Sequence, residues 1–82
     1  MYEKRNHILN IIDFKKTQHN TIFVKVAGYD AILGEEFEGE VKFVGGMPFG
    51  DLIHLQRSSL SSECRQFVQG NLLNRYSSGD FN

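Results

Sequence analysis

The sequence predicts an α+β domain: a four- to five-stranded, mainly antiparallel sheet (a meander) with one C-terminal amphipathic helix packed on its apolar face. Two patterns support this prediction. From residue 36 to residue 43 polar and apolar residues alternate, which places successive side chains on opposite faces of a strand. After residue 60 apolar residues recur at spacings of three and four, which is typical of an amphipathic helix. A chain of 82 residues accommodates one small domain, residues 1–82.

Three strands are predicted before the acidic segment. Residues 8–14 fit a helix or a strand by spacing, but three isoleucines and a phenylalanine favour a strand. Residues 15–20 are all polar and predict a hairpin connection. Residues 21–27 predict a second strand that ends at Gly28, and residues 29–33 predict a short third strand or an irregular edge.

The acidic strand is predicted over residues 36–44, and Gly39 within it suggests a bulge or a close approach of another backbone segment. A turn-rich loop at residues 45–50 and a last short strand at residues 52–56 follow. The helix is predicted over residues 61–76, with a serine at position 59, 61 or 62 as its N-cap. Residues 77–82 are expected to form a loose tail.

Composition narrows the class of protein. The single cysteine, Cys64, rules out an intramolecular disulfide, and its place in the helical stripe predicts a small core residue. The charged N-terminus is unlike a signal peptide, and no apolar run is long enough to span a membrane. The histidines show no metal-ligand spacing with Cys64. We therefore expect a cytoplasmic protein that needs no cofactor and no metal.

Charge is distributed unevenly along the chain. Residues 1–29 contain five Lys/Arg and two acids (net +3), and residues 30–51 contain one Lys and six acids (net −5). Residues 52–82 contain three Arg and two acids (net +1), which completes the overall charge of −1. The pI of about 6.3 differs from the basic character of most nucleic-acid-binding domains. Segregated charge suits docking on a protein surface of opposite sign.

The sequence shows no convergent set of catalytic residues, so we predict a small non-enzymatic protein-binding module. An inhibitor or adaptor of the kind found among phage or mobile-element accessory proteins fits such a chain. The acidic strand is the predicted docking surface, with aromatic and Met side chains as anchors. Free strand edges in so small a sheet also make a homodimer plausible. The predicted partner-binding residues are Glu36, Glu38, Glu40, Lys42, Tyr29, Met47 and Phe49.

Two alternatives remain open at this stage. The first is an RNA-binding or other nucleic-acid-binding protein that uses the basic N-terminal hairpin, with contacts from Lys4, Arg5, Lys15, Lys16 and Lys25. The second alternative is a metal-dependent nuclease, which ranks a distant third after protein binding and nucleic-acid binding. Asp30 followed by Glu40-Val41-Lys42 resembles the metal-binding signature of one large nuclease class, which implies a Mg²⁺ site formed by Asp30, Glu40 and Lys42.

Overall fold

The computed structural model describes residues 6–17 and 19–81, in which four strands are followed by a short 3₁₀ helix and one α-helix. The strands form a single antiparallel sheet in the order β1-β2-β3-β4, so each strand pairs with its neighbours in the sequence. The predicted α+β class and antiparallel meander are confirmed. The bounds are β1 Ile8–Thr17, β2 Thr21–Asp30, β3 Glu35–Val44, β4 Met47–Phe49, the 3₁₀ helix Asp51–Ile53 and α1 Ser62–Ser77.

Two of the hairpin turns require residues with positive φ. Gly45 and Gly46 alone connect β3 to β4, and both have positive φ (58° and 88°). A two-residue turn of this kind matches the twist of the strands and strongly favours glycine. His19 and Asn20, in the connection between β1 and β2, also have positive φ (68° and 57°). The predicted connection is therefore shorter than expected, since β1 continues to Thr17.

The predicted break at Gly28 is wrong, because β2 continues through this residue to Asp30. Gly28 lies opposite Phe37 of β3, and a Cβ at this position would collide with the carbonyl oxygen of Ile8 and the Phe37 ring. Glycine is thus needed for close packing rather than for a turn. The separate strand predicted over residues 29–33 is also absent, because Tyr29 and Asp30 complete β2 and a turn follows.

Two predictions for the second half of the chain also fail. Residues 52–56 do not form a strand, because Leu52 and Ile53 lie in the 3₁₀ helix and are buried. The predicted loose tail is also wrong up to residue 81, because the side chain of Phe81 is only 2% exposed. Its ring packs against Phe14 and Phe43, with centroids 5.4 and 5.8 Å away. Both segments contribute apolar side chains to the core, which local periodicity does not show.

Sheet and helix side chains contribute to one core. Ser61 caps α1 by accepting a hydrogen bond from the Cys64 N–H, and near the other end the Tyr76 ring stacks on Phe43 (centroids 5.0 Å apart). Within the described residues, no helix is long and apolar enough to cross a membrane. The buried apolar residues are Leu9, Ile22, Val24, Val26, Val41, Phe43, Leu52, Ile53, Cys64, Val68, Leu72 and Phe81.

Candidate functional site

The sheet face that points away from this core, here called the open face, contains all seven predicted partner-binding residues. Strand pairing places Tyr29 opposite Glu36, and Lys42 opposite Phe49. Period-two alternation then places every second residue of β3 on this face. The seven positions are Tyr29 on β2, Glu36, Glu38, Glu40 and Lys42 on β3, and Met47 and Phe49 on β4.

Large apolar side chains are accessible at one side of the open face. Met47 is 60% exposed and Phe49 is 52% exposed, so neither belongs to the core. Tyr29 is partly buried. Exposed Met and Phe side chains next to charged residues are the composition expected of a surface that binds a partner.

The charged side chains of the open face make no close ion pairs with one another. Lys25 lies opposite Glu40 in the register of β2 and β3. Among the described residues, however, the ion pairs within 4.0 Å all lie elsewhere. The three glutamates of β3 on this face are exposed, and so are the lysines at positions 15, 25 and 42.

The residues predicted to bind nucleic acid do not all share a surface. Lys15 and Lys25 occupy open-face positions, while Lys16 is paired with Ile22 and so occupies a position on the other face of the sheet. Lys4 and Arg5 lie outside the described residues. Acidic residues lie on both sides of Lys25, Asp13 on β1 and Glu40 on β3, which would oppose binding of a phosphate backbone there.

The residues of the predicted nuclease site lie on different faces of the sheet. Asp30 is 1% exposed and lies on the core side of β2, whereas Glu40 and Lys42 are exposed on the open face. Asp30 pairs with Glu35, five positions along β3 from Glu40. The structure therefore does not bring Asp30, Glu40 and Lys42 together at one site.

Asp30 instead connects the β2–β3 turn to the start of α1. Its Oδ1 atom accepts hydrogen bonds from the N–H groups of Ile32 and Leu33 (3.0 and 3.2 Å) and from the Ser61 hydroxyl (2.9 Å). Its Oδ2 atom accepts from the Ser61 N–H (2.7 Å). Burial raises the pKa of Asp30, but these hydrogen bonds outweigh burial, and the net effect lowers the pKa below its ordinary value.

Half-buried His7 and buried Cys64 lie close to Asp30 in a cluster that the sequence did not reveal. One possible metal-ligand atom from each residue lies within 4.8 Å of the others. Three such ligand types can bind zinc, but a ligand needs a free lone pair. His7 Nδ1 already accepts the Ala31 N–H (3.0 Å), and the Asp30 oxygens accept four hydrogen bonds. The hydrogen bonds of this cluster are therefore more consistent with a structural network than with a metal centre.

The Cys64 thiol should react slowly in the folded protein. Burial, the charge of Asp30 and a hydrogen bond to Asp30 together raise the thiol pKa to about 11. Because the thiolate is the reactive species, alkylation at neutral pH should require opening of the fold. We expect a rate at least ~100-fold below that of the same chain in denaturant. Iodoacetamide labelling followed by mass spectrometry measures it, and equal rates would contradict the buried thiol.

Comparison of the chain with protein families, curated proteins and solved structures finds no match. Its function must therefore follow from its own geometry and chemistry.

Proposed function

We propose that this protein is a small non-enzymatic protein-binding module, an inhibitor or adaptor, that docks on another protein through its open face. One observation supports this proposal most strongly. Three exposed glutamates that form no ion pair with any described residue lie in a row on β3, and the exposed side chains of Met47 and Phe49 lie beside the same strand. Charge and apolar surface are thus combined on one side of the molecule.

The two kinds of residue would contribute differently to binding. Burial of a Met or Phe side chain contributes about 1.5–3 kcal/mol, so Met47 and Phe49 would supply much of the affinity. The glutamates would act mainly on the association rate and on the choice of partner. The partner surface that suits this face is therefore basic, with an apolar recess beside the basic residues.

Reversal of the three charges tests the role of the acidic row. We expect the E36K/E38K/E40K variant to lose its protein partner in a pull-down from cell lysate, because the row would then repel a basic surface. The matched control is E35K/D51K/E63K, which changes the net charge equally at exposed positions off the open face. The control should retain the partner.

Two outcomes would contradict this proposal. One is equal capture of the same partner by the open-face variant and the wild-type protein, with both shown by circular dichroism to be folded. The other is loss of the partner in both triple variants, which would indicate an effect of net charge alone. Treatment of the lysate with nuclease should leave the complex intact, since the contact is between proteins.

One observation favours nucleic-acid binding as a second candidate function. In one row of neighbouring residues across the open face, Lys15 and Lys42 lie on either side of Phe23, and Phe49 is next to Lys42. Aromatic rings flanked by lysines can bind single-stranded nucleic acid by base stacking and phosphate contacts. Titration of a labelled single-stranded oligonucleotide at increasing salt tests this candidate, because phosphate contacts weaken steeply as salt rises.

A further inference from the structure

The charges on the open face are segregated along the strand direction. Glu36 and Glu38 lie in the half of β3 that follows the β2–β3 turn. Toward the opposite end, Phe23 has Lys42 on one side and Lys15 on the other. One end of the face is therefore acidic, and the other is basic. A surface with this pattern is complementary to a copy of itself turned end to end.

Two adjacent levels of the sheet show this complementarity in detail. The first level crosses β1, β2 and β3 at Asp13, Lys25 and Glu40. The second level, two residues away along each strand, crosses them at Lys15, Phe23 and Lys42. On β1 and β3, the two strands that flank β2, the first level is thus acidic and the second is basic.

We propose that the open face packs on the open face of a second copy, with the strands of the two sheets antiparallel. This proposal rests on the proposed function, in which the open face is the docking surface. The two copies are related by a two-fold axis that is parallel to the sheet and perpendicular to the strands, at the level of Val24. Rotation about this axis places the first level of one copy over the second level of the other. It places Glu40 over Lys42 of the second copy, and Asp13 over Lys15 of the second copy. By symmetry each pair forms twice.

The size of the face indicates a weak dimer. With the axis at Val24, the two copies overlap over residues 21–27 of β2 and the positions level with them. Strands about 4.8 Å apart, with a rise of about 3.3 Å per residue, then give roughly 350 Å² per copy. The total of roughly 700 Å² is below the size of most stable specific interfaces and is typical of a weak, reversible contact. The same axis places Lys25 over Phe23 of the second copy, which adds a cation–π contact. Another protein that docks on the open face would therefore compete with the second copy.

The free edge of β1 is less suitable for self-association than the open face. The pairing of β1 with β2 shifts between Ile11 and Asp13, which leaves Ile12 as an extra residue in the strand. Exposed Lys15 and Lys16 follow this bulge. Bulges and lysines are two of the features by which natural sheets prevent edge-to-edge pairing.

Sedimentation equilibrium of the purified full chain tests whether a second copy binds the open face. The wild-type protein should dimerise reversibly between low-micromolar and near-millimolar concentrations. E40K and K42E should each raise the dissociation constant about tenfold or more, because like charges would then face each other twice. The double variant E40K/K42E should restore dimerisation. R57E, a matched charge reversal at an exposed position off the open face, should have little effect.

A mixture of E40K and K42E copies provides an independent check. Neither should dimerise alone, but together they should form a heterodimer, which also demonstrates that both are folded. A wild-type chain that stays monomeric, or a double variant that does not recover, overturns the proposal. Capture of another protein by a monomeric chain would leave the proposed function standing. Dimerisation of a chain that captures no protein would support the second copy and contradict docking on another protein.

Discussion

Asp30→Ala should lower the free energy of unfolding by about 3–5 kcal/mol, because it leaves four N–H and O–H donors, as well as the Cys64 thiol, without their acceptor. The four donors are the N–H groups of Ile32, Leu33 and Ser61 and the Ser61 hydroxyl. For a domain of this size such a loss is a large part of the total stability. Urea unfolding followed by circular dichroism measures the effect.

Asp13→Ala is the matched control for this change. Asp13 also lies in a strand, but its side chain is exposed and accepts one hydrogen bond, from the adjacent Phe14 N–H. We expect the control to change stability by no more than about 0.5 kcal/mol. Equal destabilisation by the two substitutions would contradict the role assigned to the buried carboxylate.

The same carboxylate should make stability depend on pH. Because folding lowers the pKa of Asp30 below its ordinary value, the unfolded chain takes up its proton first as the pH falls. Its contribution is therefore complete above about pH 5 and is lost as the pH falls through the folded pKa. The difference in stability between wild type and Asp30→Asn should stay constant above about pH 5 and shrink below it.

Gly28→Ala should also be strongly destabilising, by about 3 kcal/mol or more. The added Cβ would overlap the Ile8 carbonyl oxygen and approach Phe37 Cζ to 2.6 Å. The Phe37 side chain can rotate, but Ile8 can move only if the pairing of β1 with β2 is distorted. We expect a lower melting temperature, together with faster amide exchange at the start of β1.

Gly70→Ala makes the identical chemical change with the opposite expected sign. Gly70 lies inside α1, is exposed, and has open space where a Cβ would stand. Alanine there should stabilise the protein by about 0.5–1 kcal/mol, because it lowers the entropy of the unfolded chain and favours the helix. If both substitutions destabilised the protein equally, the steric explanation for Gly28 would be wrong.

Local periodicity explains which elements could be predicted from the sequence. The alternation through Glu36, Glu38 and Glu40 is a property of neighbouring residues, so both the strand and its exposed face follow from it. The spacing of Cys64, Val68 and Leu72 predicts a helix and its buried side in the same way, and all three are buried. The strand and the helix therefore agree closely with prediction.

The incorrect predictions concern features that depend on distant parts of the chain. From the sequence alone Gly28 is typical of a strand break, and its close packing against Ile8 and Phe37 becomes visible only in the folded chain. Phe81 resembles a tail residue until it meets Phe14 and Phe43. These residues lie far apart in the sequence, so their contacts have no local pattern.

The candidate site also has one part that could be predicted from local patterns and one part that could not. The open face could be predicted because residues two apart on a strand share a face. The cluster of Asp30, His7 and Cys64 could not, because three separate segments contribute to it. An aspartate at the end of a strand, followed by a turn that ends in glycine, is the one sequence signal that could have suggested a capping role for Asp30.

The sequential order of the strands has a consequence for how fast this chain folds. Each hairpin joins residues that are near one another in the sequence, so little loop entropy is lost when it closes. The docking of α1 and of Phe81 must wait for distant segments to meet. Folding can therefore proceed stepwise from the turns, which places this sheet among the faster-folding β-rich topologies.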